Sequence, residues 1–137
     1  MVSYRHTVQY YETDKMGITH HSNYVRWMEE ARVNYLAKVG CGYDEMEKEG
    51  IISPVLSVSC NYKNTTTFAD VIEIRTAIKE FKGLRMTVEY EMIKLNDNSV
   101  VCTAESQHCF LNADFKPLNL KKSNPDYYNR LTSELNE

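Results

Sequence analysis

Between residues 54 and 110 the chain keeps a two-residue rhythm, and that rhythm leaves few folds open to it. In 54–62, Leu56, Val58, Cys60 and Tyr62 fall on one face while Ser57, Ser59 and Asn61 fall on the other. Ile72, Ile74, Thr76 and Ile78 then oppose Glu73, Arg75, Ala77 and Lys79. Phe81-Lys82-Gly83 leads to Leu84, Met86, Val88, Tyr90 and Met92. Asn96-Asp97-Asn98 leads to Val100, Cys102, Ala104, Ser106, His108 and Phe110. Successive side chains of a strand point to opposite faces, so these segments read as four half-buried strands. Their short links predict an antiparallel meander.

An apolar sheet face has to be covered, and the sequence supplies one long helix to do it. Tyr24, Met28, Ala31, Tyr35 and Val39 recur at threes and fours from Asn23 to Val39, and Trp27 widens that face. Ser22 or Asn23 is placed to cap the start, and Gly40 and Gly42 to stop the end. At 1.5 Å per residue the helix is about 25 Å long, enough to cross a sheet. A short second helix is expected from Asp44 to Lys48. Ahead of both, Tyr4 to Tyr11 reads as a first strand that gives way to turn chemistry at Glu12–Gly17. A parallel α/β fold needs further crossover helices. The expectation is therefore an α+β chain, a five-stranded antiparallel sheet wrapped around a long central helix. A short helical tail follows from Asp126 to Leu135.

With 137 residues, the chain is read as one domain over 1–137, its tail beginning near 125. A net charge of −3 gives no electrostatic case for a nucleic-acid partner. No apolar run approaches the roughly 18 residues of a membrane span, and the first residues lack a secretory apolar core. The expected location is cytoplasmic, without integral membrane association. Cys41, Cys60, Cys102 and Cys109 have no C-x-x-C spacing and read as free, buried, inert thiols. The four histidines form no metal-binding series, and there is no Rossmann or phosphate-loop motif, so no metal or cofactor is predicted.

Chemistry concentrates between Tyr11 and Arg32. Asp14 lies in a turn, Gly17 three residues on, and His21-Ser22-Asn23-Tyr24 at the start of the long helix. A helix start presents unpaired N–H groups and the positive end of the peptide dipoles. Those groups suit a carbonyl oxygen that gains charge during attack. Asp14 is equally able to serve as an ordinary turn acceptor, and Asn23 as a simple cap.

Tyr11-Glu-Thr-Asp-Lys-Met-Gly17, His21-Ser-Asn-Tyr24 and Arg26-Trp-Met-Glu-Glu-Ala-Arg32 together resemble the 4-hydroxybenzoyl-CoA thioesterase family of hotdog proteins. They are most similar to the short bacterial acyl-CoA thioesterases related to the Tol-Pal-associated enzyme. The resemblance implies a hotdog fold and hydrolysis of an acyl-CoA, with a short or medium aliphatic acyl group slightly favoured over an aromatic one. It implies Asp14 as catalytic base or nucleophile and His21 at the active-site helix entrance, acting mainly through its backbone N–H. Gly17, Ser22, Asn23 and Tyr24 match helix-start and positioning residues. His20 departs from the aromatic residue common at its position and, with Met28 and Tyr62, is expected at the substrate pocket. The resemblance also implies a homo-oligomer, a tetramer built as a dimer of dimers, with sites near the subunit boundary. An acyl-carrier-protein thioesterase, a 3-hydroxyacyl thioester dehydratase and a noncatalytic acyl-CoA-binding module are the competing readings.

Other residues carry blander expectations. Glu29 and Glu30 read as helix-surface or subunit-contact groups, with a Glu29–Arg32 pair available. His6 and His108 read as structural. Asn64, Thr65, Thr66 and Thr67 border a channel or form a turn. Met16, Met86 and Met92 fill an acyl pocket or the core. Lys63, Lys82, Lys116, Lys121 and Lys122 are available to CoA phosphates, none singled out.

Overall fold

The computed structural model describes residues 1–135. Its elements are β1 (Val2–Thr7), a 3-10 turn (Tyr10–Glu12), α1 (Ser22–Lys38), α2 (Tyr43–Lys48), β2 (Val55–Tyr62), β3 (Val71–Phe81), β4 (Arg85–Lys94), β5 (Ser99–Cys109), α3 (Leu120–Ser123) and α4 (Pro125–Glu134). All five strands form one antiparallel sheet in the order β1-β3-β4-β5-β2. The helical tail forms as α4, close to its expected span. Among the described residues no helix is long and apolar enough to cross a membrane.

Tyr24, Trp27, Met28, Ala31, Tyr35 and Leu36 make the buried stripe of α1. They meet Ile72, Ile74, Met86, Val88, Met92 and Cys102 from the inner sheet face. Each fully buried large apolar side chain on that stripe contributes about 1.5–3 kcal/mol. The outer face is polar, with Glu73, Arg75 and Glu91 paired across β3 and β4.

Three expectations are corrected. The first strand ends at Thr7, because Glu12 turns the next segment into a 3-10 helix: its N–H bonds the Gln9 carbonyl and its carboxylate takes the Gln9 N–H. The four-strand meander holds only for β3, β4 and β5. β2 pairs with β5 at the far edge, so the link 63–70 must cross the end of the sheet. That link is tied to β5 by Lys63 N–H on the Val101 carbonyl, to β4 by Lys94 Nζ on the Thr65 carbonyl, and to the chain after β1 by Ala69 N–H on the Val8 carbonyl. Alternation assigns each strand its faces but leaves its neighbours open. Finally, Arg32 leaves the surface and its expected partner Glu29. It is 6% exposed and donates from Nε to Tyr43 Oη and from Nη1 to Tyr90 Oη.

Candidate active site

The loop bearing Asp14 is closed by a bridge between Thr13 and Thr19. Asp14 N–H donates to the Ile18 carbonyl, Gly17 N–H to the Asp14 carbonyl, and Asp14 Oδ1 accepts the Met16 N–H at 2.8 Å. Gly17 takes φ +78°, a conformation that penalises a side chain, so the turn needs glycine there. Asp14 is half-buried, and Ile18, whose carbonyl takes the Asp14 N–H, lines a pocket of about 300 Å³ whose walls do not include Asp14 itself. The other walls are Thr19, His21, Tyr24, Tyr62, Lys63, Asn64 and Thr65. The crossing link 63–70 thus supplies one wall and the start of α1 another.

The helix start is held differently from the expected cap. His21 is the flanking residue, and neither Ser22 nor Asn23 caps with its side chain. His20 does part of that work, since its Nδ1 accepts the Ser22 N–H at 3.3 Å and lies 2.8 Å from Ser22 Oγ. Asn23, 6% exposed, points back into the loop and donates Nδ2 to the carbonyls of Glu12 and His20. Its backbone N–H also donates to the His20 carbonyl, at 3.0 Å. Two donors therefore hold the His20–His21 peptide by its oxygen and polarise it. The N–H groups of His20, Ser22, Asn23 and Tyr24 are all engaged. The His21 N–H, on the same peptide that Asn23 grips, has no protein acceptor among the described residues.

The pocket walls are largely rings. His21 meets Tyr62 edge-on at 6.3 Å, and Tyr24 meets Tyr62 edge-on at 5.2 Å. Tyr62 Oη donates to the His21 carbonyl at 3.3 Å. Below them Thr66 Oγ1 lies 2.6 Å from Thr19 Oγ1 and 3.0 Å from Tyr24 Oη. Burial raises the Tyr24 hydroxyl above its ordinary pKa, so it stays neutral.

Of the expected site residues, His21, Tyr24 and Tyr62 line the pocket; Ser22 and Asn23 hold the helix start beside it, and Asp14 and Gly17 lie in the loop that leads to its Ile18–Thr19 wall. The structure takes Met28 elsewhere: 1% exposed in the core, it accepts the Cys60 thiol at 3.6 Å and is absent from the pocket walls. His20 is exposed and stacks on His21 at 4.3 Å, at the rim rather than in the wall. Of the five named lysines, Lys63 alone lines this pocket. The inert reading of the cysteines fits Cys41, whose thiol burial pushes up to about 11. Cys60 is half-buried, and the neighbouring Cys102 thiol lowers its pKa. Sequence reasoning missed Thr19, Ile18 and above all Glu12, a second acid two residues from Asp14. A larger hollow of about 540 Å³ lies on the outer sheet face among Glu89, Glu91 and Glu105, where acidic side chains repel an anionic substrate.

A family model described as the thioesterase-like superfamily matches residues 8–125. The chain belongs to that superfamily. It is 31% identical over 121 residues to a Bacillus subtilis protein named as a putative acyl-CoA thioesterase, covering 88% of each. It is 29% identical over 84 residues to the 4-hydroxybenzoyl-CoA thioesterase of a Pseudomonas species, covering 59% of this chain and 60% of that one. The crystal structure of a DHNA-CoA thioesterase from Staphylococcus aureus superposes with a TM-score of 0.90 at 32% identity, over 96% of this chain and 88% of that one. The sheet wrapped around α1 is the hotdog fold, and the chain is a hotdog thioesterase.

Proposed function

We propose that this hotdog thioesterase hydrolyses an acyl-CoA to the free acid and CoA. The observation that carries this reading is the unengaged His21 N–H, on a peptide gripped by Asn23 and set in a pocket wall beside the Asp14 loop. Asp14 accepts a proton from a water whose oxygen adds to the thioester carbonyl, while the His21 N–H stabilises the oxyanion. Collapse breaks the C–S bond, and the proton passes to the departing thiolate. Direct attack by Asp14, through an anhydride that water then opens, uses the same groups.

The acyl group is the finer question. A short aliphatic chain fits about 300 Å³, but walls of Tyr24, Tyr62 and His21 favour a planar aromatic acyl group, which can pack against ring faces and edges. Lys63 at the rim suits a phosphate or the polar end of CoA.

The reading covers the chain as one domain over 1–137. It includes a cytoplasmic location, where four free cysteines stay reduced, and a homo-oligomer built from dimers, assembled as a tetramer. The apolar, exposed edge strand β2 supports the assembly.

The test is thiol release from aromatic CoA esters, aliphatic CoA esters, 3-hydroxyacyl-CoA and acyl-carrier-protein esters. The expected result is hydrolysis of CoA esters, with aromatic ones preferred by about tenfold or more in kcat/KM. A new double bond with the thioester intact identifies a dehydratase. Preference for the carrier-protein ester overturns the CoA assignment, and saturable binding without turnover identifies a binding module.

A further inference from the structure

Glu12 is a carboxylate that the proposed chemistry does not use, yet it is 4% exposed. A buried carboxylate is tolerated only where donors surround it, and Glu12 has them on both oxygens. Oε1 accepts the Gln9 N–H at 2.7 Å and lies 2.8 Å from His6 Nε2, while Oε2 accepts the Trp27 indole N–H at 2.8 Å. His6 comes from β1, Gln9 from the entry to the 3-10 turn and Trp27 from the middle of the buried stripe of α1. The backbone carbonyl of the same residue accepts the His20 N–H at 2.8 Å and Asn23 Nδ2 at 3.0 Å. Glu12 is therefore anchored to the helix by its side chain and to the helix start by its main chain.

We propose that Glu12 is a positioning residue for the hydrolysis: it sets the His20–His21 peptide against the Asp14 carboxylate two residues further along the same loop. The inference rests on the acyl-CoA reading above. The linkage is short. Asn23 Nδ2 bridges the carbonyls of Glu12 and His20, and the peptide bearing the His20 carbonyl carries the free His21 N–H. A shift of the Glu12 backbone moves both the base and the oxyanion donor. Misplacement on the ångström scale at reacting groups is costly in rate.

Glu12→Gln keeps the size of the side chain but presents an amide NH2 to a group that is itself a donor, either Trp27 Nε1–H or Gln9 N–H. The chain has one tryptophan, so its emission reports the Glu12–Trp27 contact without interference. For a correctly assembled Glu12→Gln variant the expected result is a displaced Trp27 emission maximum. Its kcat falls about 10–100-fold, with KM within about threefold of wild type, measured on the best CoA ester. Trp27→Phe leaves the carboxylate in place and exchanges the indole, with its N–H donor, for a smaller ring, and it lowers kcat in the same direction by a smaller factor. A Glu12→Gln protein with displaced emission and wild-type kcat overturns the proposal, and so does a loss confined to KM. If Glu12→Gln does not fold, unchanged kcat in Trp27→Phe overturns it. Wild-type protein inert towards every CoA ester removes both the function reading and this one, whereas active wild type with unaffected variants removes this one alone.

Discussion

Asp14 Oδ1 is committed to one hydrogen bond, from the Met16 N–H, and the turn it closes forms whether or not the carboxylate does chemistry. Turn and base can be separated because an asparagine oxygen accepts the same N–H. Asp14→Asn is expected to keep the loop and the assembly while kcat for the best CoA ester falls by about 10²-fold or more. His21→Ala keeps the backbone N–H that has no acceptor among the described residues, and is expected to lose less. Steady-state thiol release from both variants, with assembly checked by sedimentation, decides this. An assembled Asp14→Asn protein with wild-type kcat assigns Asp14 to the turn alone.

β2 is one of the two edge strands of the sheet, and its inner flank is the more exposed. One edge pairs with β5, and the residues opposite Ser106, Ala104 and Cys102 are Val58, Cys60 and Tyr62, so these three belong to the inner face. Val58 is nevertheless 41% exposed and Tyr62 49%, because α1 covers β1 and β3 far more than β2. A register shift between Val55 and Ser57 adds exposed Val55 and Leu56 to the strip. An unpaired edge with an apolar flank invites a second strand, and a second copy of β2 supplies one. Val58→Lys is expected to shift the protein from dimers or larger assemblies towards monomer at micromolar concentration, read by sedimentation equilibrium. Tyr62 lines the pocket and sits on this strand, so activity is expected to fall with assembly. Wild-type protein that sediments as a fully active monomer contradicts the edge pairing.

At the scale of the whole molecule, a buried polar chain runs through the core between α1 and the sheet. Arg32 Nη1 donates to Tyr90 Oη, which lies 2.6 Å from Ser106 Oγ, which lies 2.7 Å from His108 Nε2. The guanidinium supplies the positive charge at one end of this chain, and the His108 ring lies at the other. Burial first, and the Arg32 charge second, lower His108 to about 4. In the unfolded chain the same histidine titrates near 6.5. Between those values the unfolded state binds a proton that the folded state refuses. The stabilising contribution is thus complete above pH 6.5 and declines as the pH falls towards 4. The expected loss between pH 7.5 and 5 is about 2 kcal/mol from this group, measured by urea unfolding. His108→Gln is expected to flatten that slope. A wild-type stability unchanged from pH 7.5 to 5 contradicts the assignment.

Local patterning determined a good deal. The period-two runs specify which residues of β3, β4 and β5 face inward, because side-chain direction in a strand is a local property. The recurrence of Tyr24, Met28, Ala31 and Tyr35, widened by Trp27, specifies the buried face of α1 in the same way, although Val39 falls beyond the helix end and Leu36 joins the stripe. The order of Asp14-bearing loop and then helix start was legible as well, and with it the expectation of a carboxylate near helix-start donors. Three matters lay beyond it. The place of β2 depends on a crossing whose ties reach residues as distant as Val101 and Val8, and alternation is blind to such partners. Arg32 reads as a surface residue until Tyr43 and Tyr90 meet it from α2 and β4. Glu12 reads as one more polar turn residue, because its donors lie on three separate segments at His6, Gln9 and Trp27. Only folding brings those donors together, since hydrogen bonds between segments distant in sequence leave no periodic trace in any one of them.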